Sequence, residues 1–246
     1  MNFGGNASFS LINGIQMTIR QAFAVPIMQL QAPNAGQLNQ ALTIKLLEWE
    51  KNESTRSSAP TAVPRRAVYE SDFSLFRRED PDIQQLARFC LSAIGQMAKE
   101  INGYSDQEMQ QLRIYDHSWY HVTRYGGYFG SHNHPMASWS GVYCVAPGSS
   151  LPPEQRGGIL RFLEARTTAG MYLDPGNAYM ASPYTFGDLD YPLEAGTIVL
   201  FPSFLQHEVT PFWGDGERIT VAFNCWFRYA DQAVDEPEIR MRQRNS

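Results

Sequence analysis

A chain of 246 residues, 43% of them hydrophobic and 18% charged, has apolar content for one sizeable core and too few charges to be disordered throughout. Twenty Lys and Arg against 25 Asp and Glu leave a net charge of −5, the wrong sign for a surface that neutralises phosphates, so nucleic acid is not an expected partner. No apolar run approaches the ~18 residues of a membrane span, the Gly- and Asn-rich stretch Met1 to Phe9 lacks the order of a signal peptide, and three scattered cysteines (Cys90, Cys144, Cys225) without a CxxC fit a reducing compartment, so the expected location is the cytoplasm.

Residues 17–31 carry apolar side chains near period two, interrupted by Pro26, the pattern of an edge strand. Residues 36–52, with Leu38, Leu46, Leu47 and Trp49 among helix formers, predict an amphipathic helix. Residues 53–66 are rich in Ser, Pro and Arg and read as a loop inserted within one domain. Asp80-Pro81 starts a second helix running to about Asn102, with Ile83, Leu86, Phe89, Cys90, Ile94 and Met97 on one stripe.

The texture then changes. Short β-rich runs at 112–115, 117–125, 139–145, 158–164, 197–201 and 218–228 are separated by Gly, Pro, Asn and Asp. Two helices followed by many short strands predict an α+β, mainly β chain in which helices brace a sandwich or barrel. The expected organisation is one domain over 1–246: helical and edge-strand support in 1–110, the β core in 111–230 and a C-terminal tail in 231–246. The long aromatic, Gly- and Pro-rich stretch 165–191 is expected to be a lid or substrate loop. Trp119, Tyr120, Trp139, Tyr172, Tyr179, Tyr184 and Trp213 are candidates for a pocket lining, with the core as the competing place for them.

Chemistry concentrates in few residues. Of the five histidines, two form His132-Asn133-His134. On a strand, positions i and i+2 share a face, so both imidazoles can reach one ion at about 2.0–2.2 Å, and Pro135 then ends the strand. His207 follows an apolar strand and a Pro-Ser turn (Phe201-Pro202-Ser203) and supplies a third point from a distant strand. Eleven residues on, past the turn-forming Gly214-Asp215-Gly216, Arg218 begins an alternating strand. Arg218, Thr220, Ala222 and Asn224 share one face, and Ile219, Val221 and Phe223 the other. A polar face inside an apolar strand implies a wet cavity. Arg suits bidentate grip of a carboxylate, and a hydroxyl two positions on adds a further hydrogen bond.

His132-x-His134, then His207, then Arg218-x-Thr220 resembles the HxD…H…R pattern of the 2-oxoglutarate/Fe(II)-dependent dioxygenases. The local strings Gly157-Gly158-Ile159-Leu160-Arg161-Phe162 and His207-Glu208-Val209-Thr210-Pro211 are similar to the prolyl-hydroxylase-like branch. The strings His132–Pro135, Ser140-Gly141-Val142-Tyr143 and Phe201-Pro202-Ser203 resemble a group of bacterial and phage oxygenases. The resemblance covers about Trp119 to Phe227. It implies a double-stranded β-helix, a jelly roll, over the β core. It also implies Fe(II) held by His132, His134 and His207, and 2-oxoglutarate as cosubstrate with its far carboxylate on Arg218 and Thr220. Oxidation, hydroxylation above all, of a small-molecule or peptide substrate would follow. The chain departs from the pattern twice. His134 stands where the family has a carboxylate, so the ion's charge is left to the anionic cosubstrate. Cys144 stands where relatives often have a cosubstrate-contacting Tyr, for which Tyr125 or Tyr143 are the candidate replacements, with Asn224 a further cosubstrate contact. Two other readings stay open: a three-histidine zinc lyase or hydrolase, in which Arg218 has no role, and a non-catalytic jelly-roll binding module.

Overall fold

The computed structural model describes residues 7–12, 15–19, 22–52, 56–57, 63–166, 172 and 174–230. Strands β1 (Ala7–Ile12) and β2 (Ile15–Ile19) pair with each other in a two-stranded sheet. Everything else is built on one curled antiparallel sheet of nine strands. Its members are β3 (Met28–Gln31), β4 (Arg65–Glu70), β5 (Leu112–His132), β6 (Trp139–Ala146), β7 (Leu160–Phe162), β8 (Leu189–Tyr191), β9 (Thr197–Pro202), β10 (His207–Val209) and β11 (Arg218–Tyr229). The order is β3-β9-β6-β11-β5-β10-β7-β8, with β4 also paired to β5.

Two long helices cover one face. Helix α1 (Ala35–Lys51) and helix α2 (Pro81–Asn102) match the periodicity in the sequence, and Asp80 caps α2 by accepting from the amides of Asp82 and Ile83. Leu42 and Leu46 of α1 and Ile83, Leu86, Cys90 and Ile94 of α2 bury against Tyr120, Tyr143, Leu200, Val221 and Phe223 of the sheet. Period two sends the alternate residues to the other face. There Val199 and Phe201 of β9 and Cys144 of β6 join Leu160, Phe162 and Leu205 in a second cluster. The short α3 (Asp106–Gln110), closed by a Ser105–Glu108 capping box, and α4 (Pro153–Arg156) complete the α-helices among the described residues, beside a 3-10 turn at Leu75–Arg77.

Several expectations change. The edge strand expected over 17–31 is two strands in different sheets, β2 and β3, because residues 22–27, including Pro26, are irregular; β3 does lie at the sheet edge. The runs 112–115 and 117–125 are one strand that continues to His132. It bends at Gly126, which has φ 74°, and at Gly127, where a Cβ would lie 2.5 Å from the Thr123 methyl. The loop read over 53–66 ends in β4, and the 165–191 stretch contributes β8. Residues 167–171 and 173 of that stretch, and the tail 231–246, lie outside the described residues. Finally, β10 and β11 do not pair with each other: both pair with β5, β11 with its first half and β10 with its last residues.

Candidate functional site

The bend in β5 sets the site. Its first half, up to Thr123, pairs with β11, while its last residues pair with β10, so that His132 stands opposite His207. His132 and His207 are therefore on neighbouring strands. His134 is not on the strand. With Pro135 next in the chain, β5 ends at His132, and the His134 amide instead donates to Ser203 O at 2.8 Å in the following turn. The three rings still converge: one nitrogen from each of His132, His134 and His207 lies within 4.8 Å of the others.

Two of the rings are oriented by their own backbone. His132 Nδ1 donates to Gly130 O at 2.8 Å and His207 Nδ1 to Leu205 O at 2.9 Å. That fixes the proton on Nδ1 and leaves the Nε2 lone pair for an ion. Burial, then the neighbouring His132 ring, pulls His134 down to about 4 and His207 down to about 3. His132 is also lowered by burial. Neutral rings are the ligand form.

The cluster opens into a cavity of about 450 Å³. At one end of it lies Arg218, 4% exposed, with Thr220 beside it, also buried. Burial lowers the guanidinium's affinity for its proton, and the facing charge of Arg156 lowers it further. Among the described residues no carboxylate or carbonyl pairs with it, although a buried charge without a partner is costly. Directly across the ladder, Thr123 Oγ1 is also buried with no partner. Gly158 makes room for the arginine: a Cβ there would sit 2.8 Å from Arg218 Cδ, and its φ of 65° suits glycine. An orphaned guanidinium at one end and three neutral imidazoles with one open side fit a metal chelated by a dicarboxylate.

Other candidates are placed differently. Tyr143 is fully buried on the helix side of β6 and donates to Asn39 Oδ1 at 2.7 Å, so it does not replace a cosubstrate tyrosine. Its strand position has the wrong parity, since Cys144 and Val142 face inward. Tyr125 is 68% exposed and packs on Trp213 outside the cavity. Asn224 lines the cavity but stands six positions along β11 from Arg218, roughly 20 Å at strand rise. It does not share that end. Of the aromatic candidates, Trp119 lines the cavity; Tyr120 is core, Trp139 packs against the core, and Tyr172, Tyr179 and Trp213 are exposed.

Sequence reasoning missed His121 and Glu70, which also line the cavity. His121 faces Glu70 Oε2 at 3.1 Å, and Arg65 holds the other carboxylate oxygen at 2.5 Å. The inward parity of His117, Trp119 and His121 on one strand was the available signal; the pairing of β4 with β5 was not visible.

Comparison with known proteins agrees with this geometry. Residues 117–224, which contain all three histidines, Arg218 and Thr220, match a family model described as "Putative 2OG-Fe(II) oxygenase". No curated protein matches the chain. Among solved structures, a Pseudomonas putida prolyl-4-hydroxylase is similar at 18% identity and TM-score 0.52, over 82% of this chain and 92% of that one. A Trichoplax adhaerens prolyl hydroxylase, in complex with a hypoxia inducible factor peptide fragment, is similar at 9% identity and TM-score 0.55, over 81% and 83%. The epimerase SnoN, in complex with Fe3+, alpha ketoglutarate and nogalamycin RO, is similar at 13% identity and TM-score 0.51, over 82% and 80%. At these identities the likeness is one of fold: a mainly β, curled antiparallel sheet with few helices. The family match and the three-histidine cluster together give Fe(II) as the metal and 2-oxoglutarate as the cosubstrate.

Proposed function

We propose that this chain is a 2-oxoglutarate-dependent non-haem iron oxygenase that oxidises a C–H bond of a substrate held in the cavity. The observation that carries the reading is Arg218, a buried guanidinium with no anion paired to it among the described residues, at the end of a cavity that also holds three convergent histidines. His132, His134 and His207 are the proposed ligands, and Arg218 with Thr220 the anchor for the distal carboxylate. When bound, the metal supplies activation of O2 coupled to decarboxylation of 2-oxoglutarate to succinate.

The chain's own residues do the rest. His132 and His207 arrive with their lone pairs aimed and their tautomers set. Arg218 fixes the cosubstrate through two parallel hydrogen bonds. The apolar walls, Leu160 and Phe201 among them, exclude water around that pair. No separate acid or base is required. In this reading the curled sheet is a double-stranded β-helix within a single domain over 1–246, and three free, buried thiols favour a cytoplasmic setting. The relatives' peptide and small-molecule ligands suggest a substrate of either kind, with neither nucleic acid nor membrane as partner.

The test is oxygen consumption and succinate formation by purified protein given Fe(II) and 2-oxoglutarate. Both activities, with a much higher 2-oxoglutarate requirement in Arg218→Ala, support the reading. A zinc lyase would consume no oxygen, and a binding module would hold no stoichiometric metal.

A further inference from the structure

The inference concerns how the cavity grips its substrate, and it rests on the function proposed above. The inward face of the sheet divides into rows across the ladder. Arg218 stands opposite Thr123, Thr220 opposite His121, Ala222 opposite Trp119 and Asn224 opposite His117. Strand β6 extends the last row, with Ser140 opposite Asn224. The first two rows are the cosubstrate end. The third faces the metal end, since the Trp119 ring lies 6.0 Å from that of His134. The fourth row, Ser140–Asn224–His117, also lines the cavity, and the mechanism leaves it unused.

Polar groups nearer the cosubstrate engage one another. The Trp119 indole N–H is directed at His121 Nε2 at 3.0 Å, and Glu70 faces both His121 and Arg65. The fourth row differs. Ser140 Oγ lies 2.8 Å from Ser203 Oγ and donates to Asn224 Oδ1 at 2.7 Å. Ser203 is fully buried, and its proton is used when it donates to Ser140, which gives its own to Asn224. Asn224 Oδ1 is thereby occupied, and its NH2 is left for the cavity. Among the described residues no hydrogen bond holds the His117 ring, which meets that of Trp226 edge to face at 4.9 Å. Burial, and after it the charge of Arg77, lowers the proton affinity of His117 against the opposing pull of Asp116. The neutral ring carries one N–H and one lone pair.

A donor and a donor–acceptor, both uncharged, thus stand side by side, about 5 Å apart at their Cα atoms. Among the described residues the lining charges are Arg218 and Glu70, and both belong to other rows. A charged group placed in the fourth row would have no counter-charge in it. An amide uses both residues when its C=O and N–H lie on one side: the oxygen accepts from Asn224 and the N–H donates to His117. A trans peptide bond turns these groups to opposite sides and meets only one of the two. A primary carboxamide, a lactam or an imide presents them together. Phe73, Trp119 and Trp226 supply flat walls for the ring that carries it. One row, roughly 7 Å at strand rise, separates this anchor from Trp119 beside His134.

We infer that the Ser140–Asn224–His117 row is a substrate subsite, and that it recognises a flat cyclic compound by a cis amide edge, as in a carboxamide, lactam or imide. The edge is held away from the metal, and the far side of the ring is presented to it.

Four probes share one ring. Benzamide carries the edge, N-methylbenzamide turns its N–H away from the carbonyl, acetophenone has the carbonyl alone, and benzylamine is a cation. Their dissociation constants are measured by titration calorimetry on the full chain, with Zn(II) and 2-oxoglutarate and again without both. Benzamide should bind about 3- to 10-fold tighter than N-methylbenzamide or acetophenone, the worth of one neutral hydrogen bond. His117→Phe, which keeps a ring on Trp226, should erase that preference, and His117→Gln, which restores an acceptor, should return part of it. Asn224→Ala should weaken benzamide and acetophenone alike. Each comparison is a ratio between ligands on one protein, so a loss of folded fraction cancels. Equal binding of benzamide and acetophenone by the wild type, or a preference that survives His117→Phe, overturns the inference. Tighter binding of benzylamine than of benzamide also overturns it and places recognition at Glu70. No readout involves turnover, so failure here is separable from failure of the oxygenase reading, which oxygen consumption decides.

Discussion

His132 and His207 occupy opposite positions of one antiparallel ladder, ring centroids 4.3 Å apart, and each donates Nδ1–H to the carbonyl two residues before it. The same local device is thus used on both strands, and each ring is set by its own segment before any ion arrives. Substituting either residue by Ala should abolish stoichiometric metal in the purified protein, read by elemental analysis. Retention of full metal content by both variants would end the three-histidine assignment.

His134 separates charge from geometry. With three neutral imidazoles the ion's charge is balanced only by the cosubstrate, so Fe(II) should bind more tightly when 2-oxoglutarate is present. In His134→Asp the protein supplies one negative charge, and that enhancement should shrink. Both are measured by Fe(II) titration with and without 2-oxoglutarate under anaerobic conditions. Equal enhancement in the two proteins would show that His134 does not contact the ion.

Arg218→Ala should weaken 2-oxoglutarate binding on the order of 30-fold or more. Removing one side of a desolvated charge pair costs about 2–5 kcal/mol, and each ~1.4 kcal/mol is tenfold. Arg218→Lys should fall between, keeping charge and losing the fork. Metal content should be little changed in either. The measurement is an anaerobic titration followed in the visible charge-transfer band, and wild-type affinity in Arg218→Ala would refute the anchor.

Gly158→Ala should act on the same anchor from outside. The new methyl would crowd Arg218 Cδ and Nε, at 2.8 and 2.9 Å, and the positive φ adds roughly 1–2 kcal/mol of backbone strain. The expected result is a lower unfolding midpoint together with weakened 2-oxoglutarate binding and unchanged metal stoichiometry. If cosubstrate affinity is untouched while stability falls, the glycine serves only the turn.

Acid should release the metal and loosen the fold together. An exposed His titrates near 6.5, whereas burial holds His134 near 4 and His207 near 3 in the fold. Between those values the unfolded chain binds protons that the folded one does not, so stability is full above about pH 6.5 and declines as pH falls towards 4. Urea midpoints of the metal-free protein at pH 7.5 and 5 should differ in that sense. In the His207→Gln variant the difference should shrink.

Local pattern carried much of this. The stripe from Ile83 to Met97 with its Asp80 cap, and the alternation from Arg218 to Asn224, are properties of single segments, and both elements form as their periodicity predicts. Parity alone places Tyr143 on the core side. What was not legible depends on partners far away in the chain. Gly126-Gly127 read as a stop, although pairing with β4, β10 and β11 carries the strand straight through them. The pairing of both β10 and β11 with β5 rather than with each other hides behind a turn that looks like a hairpin. Glu70 reaches His121 only because β4 pairs with β5, and no short-range pattern announces that.

The two ends of β5 are not equally secured. Its first half lies in a twelve-position ladder with β11, while the segment that ends at His132 is held on that side by the three-residue β10. Fraying of so short a ladder is a local event, far less costly than global unfolding. An ion could therefore exchange with solvent through a brief parting of His132 from His207, while Arg218, fixed in the long ladder, would stay in place for the lifetime of the folded chain.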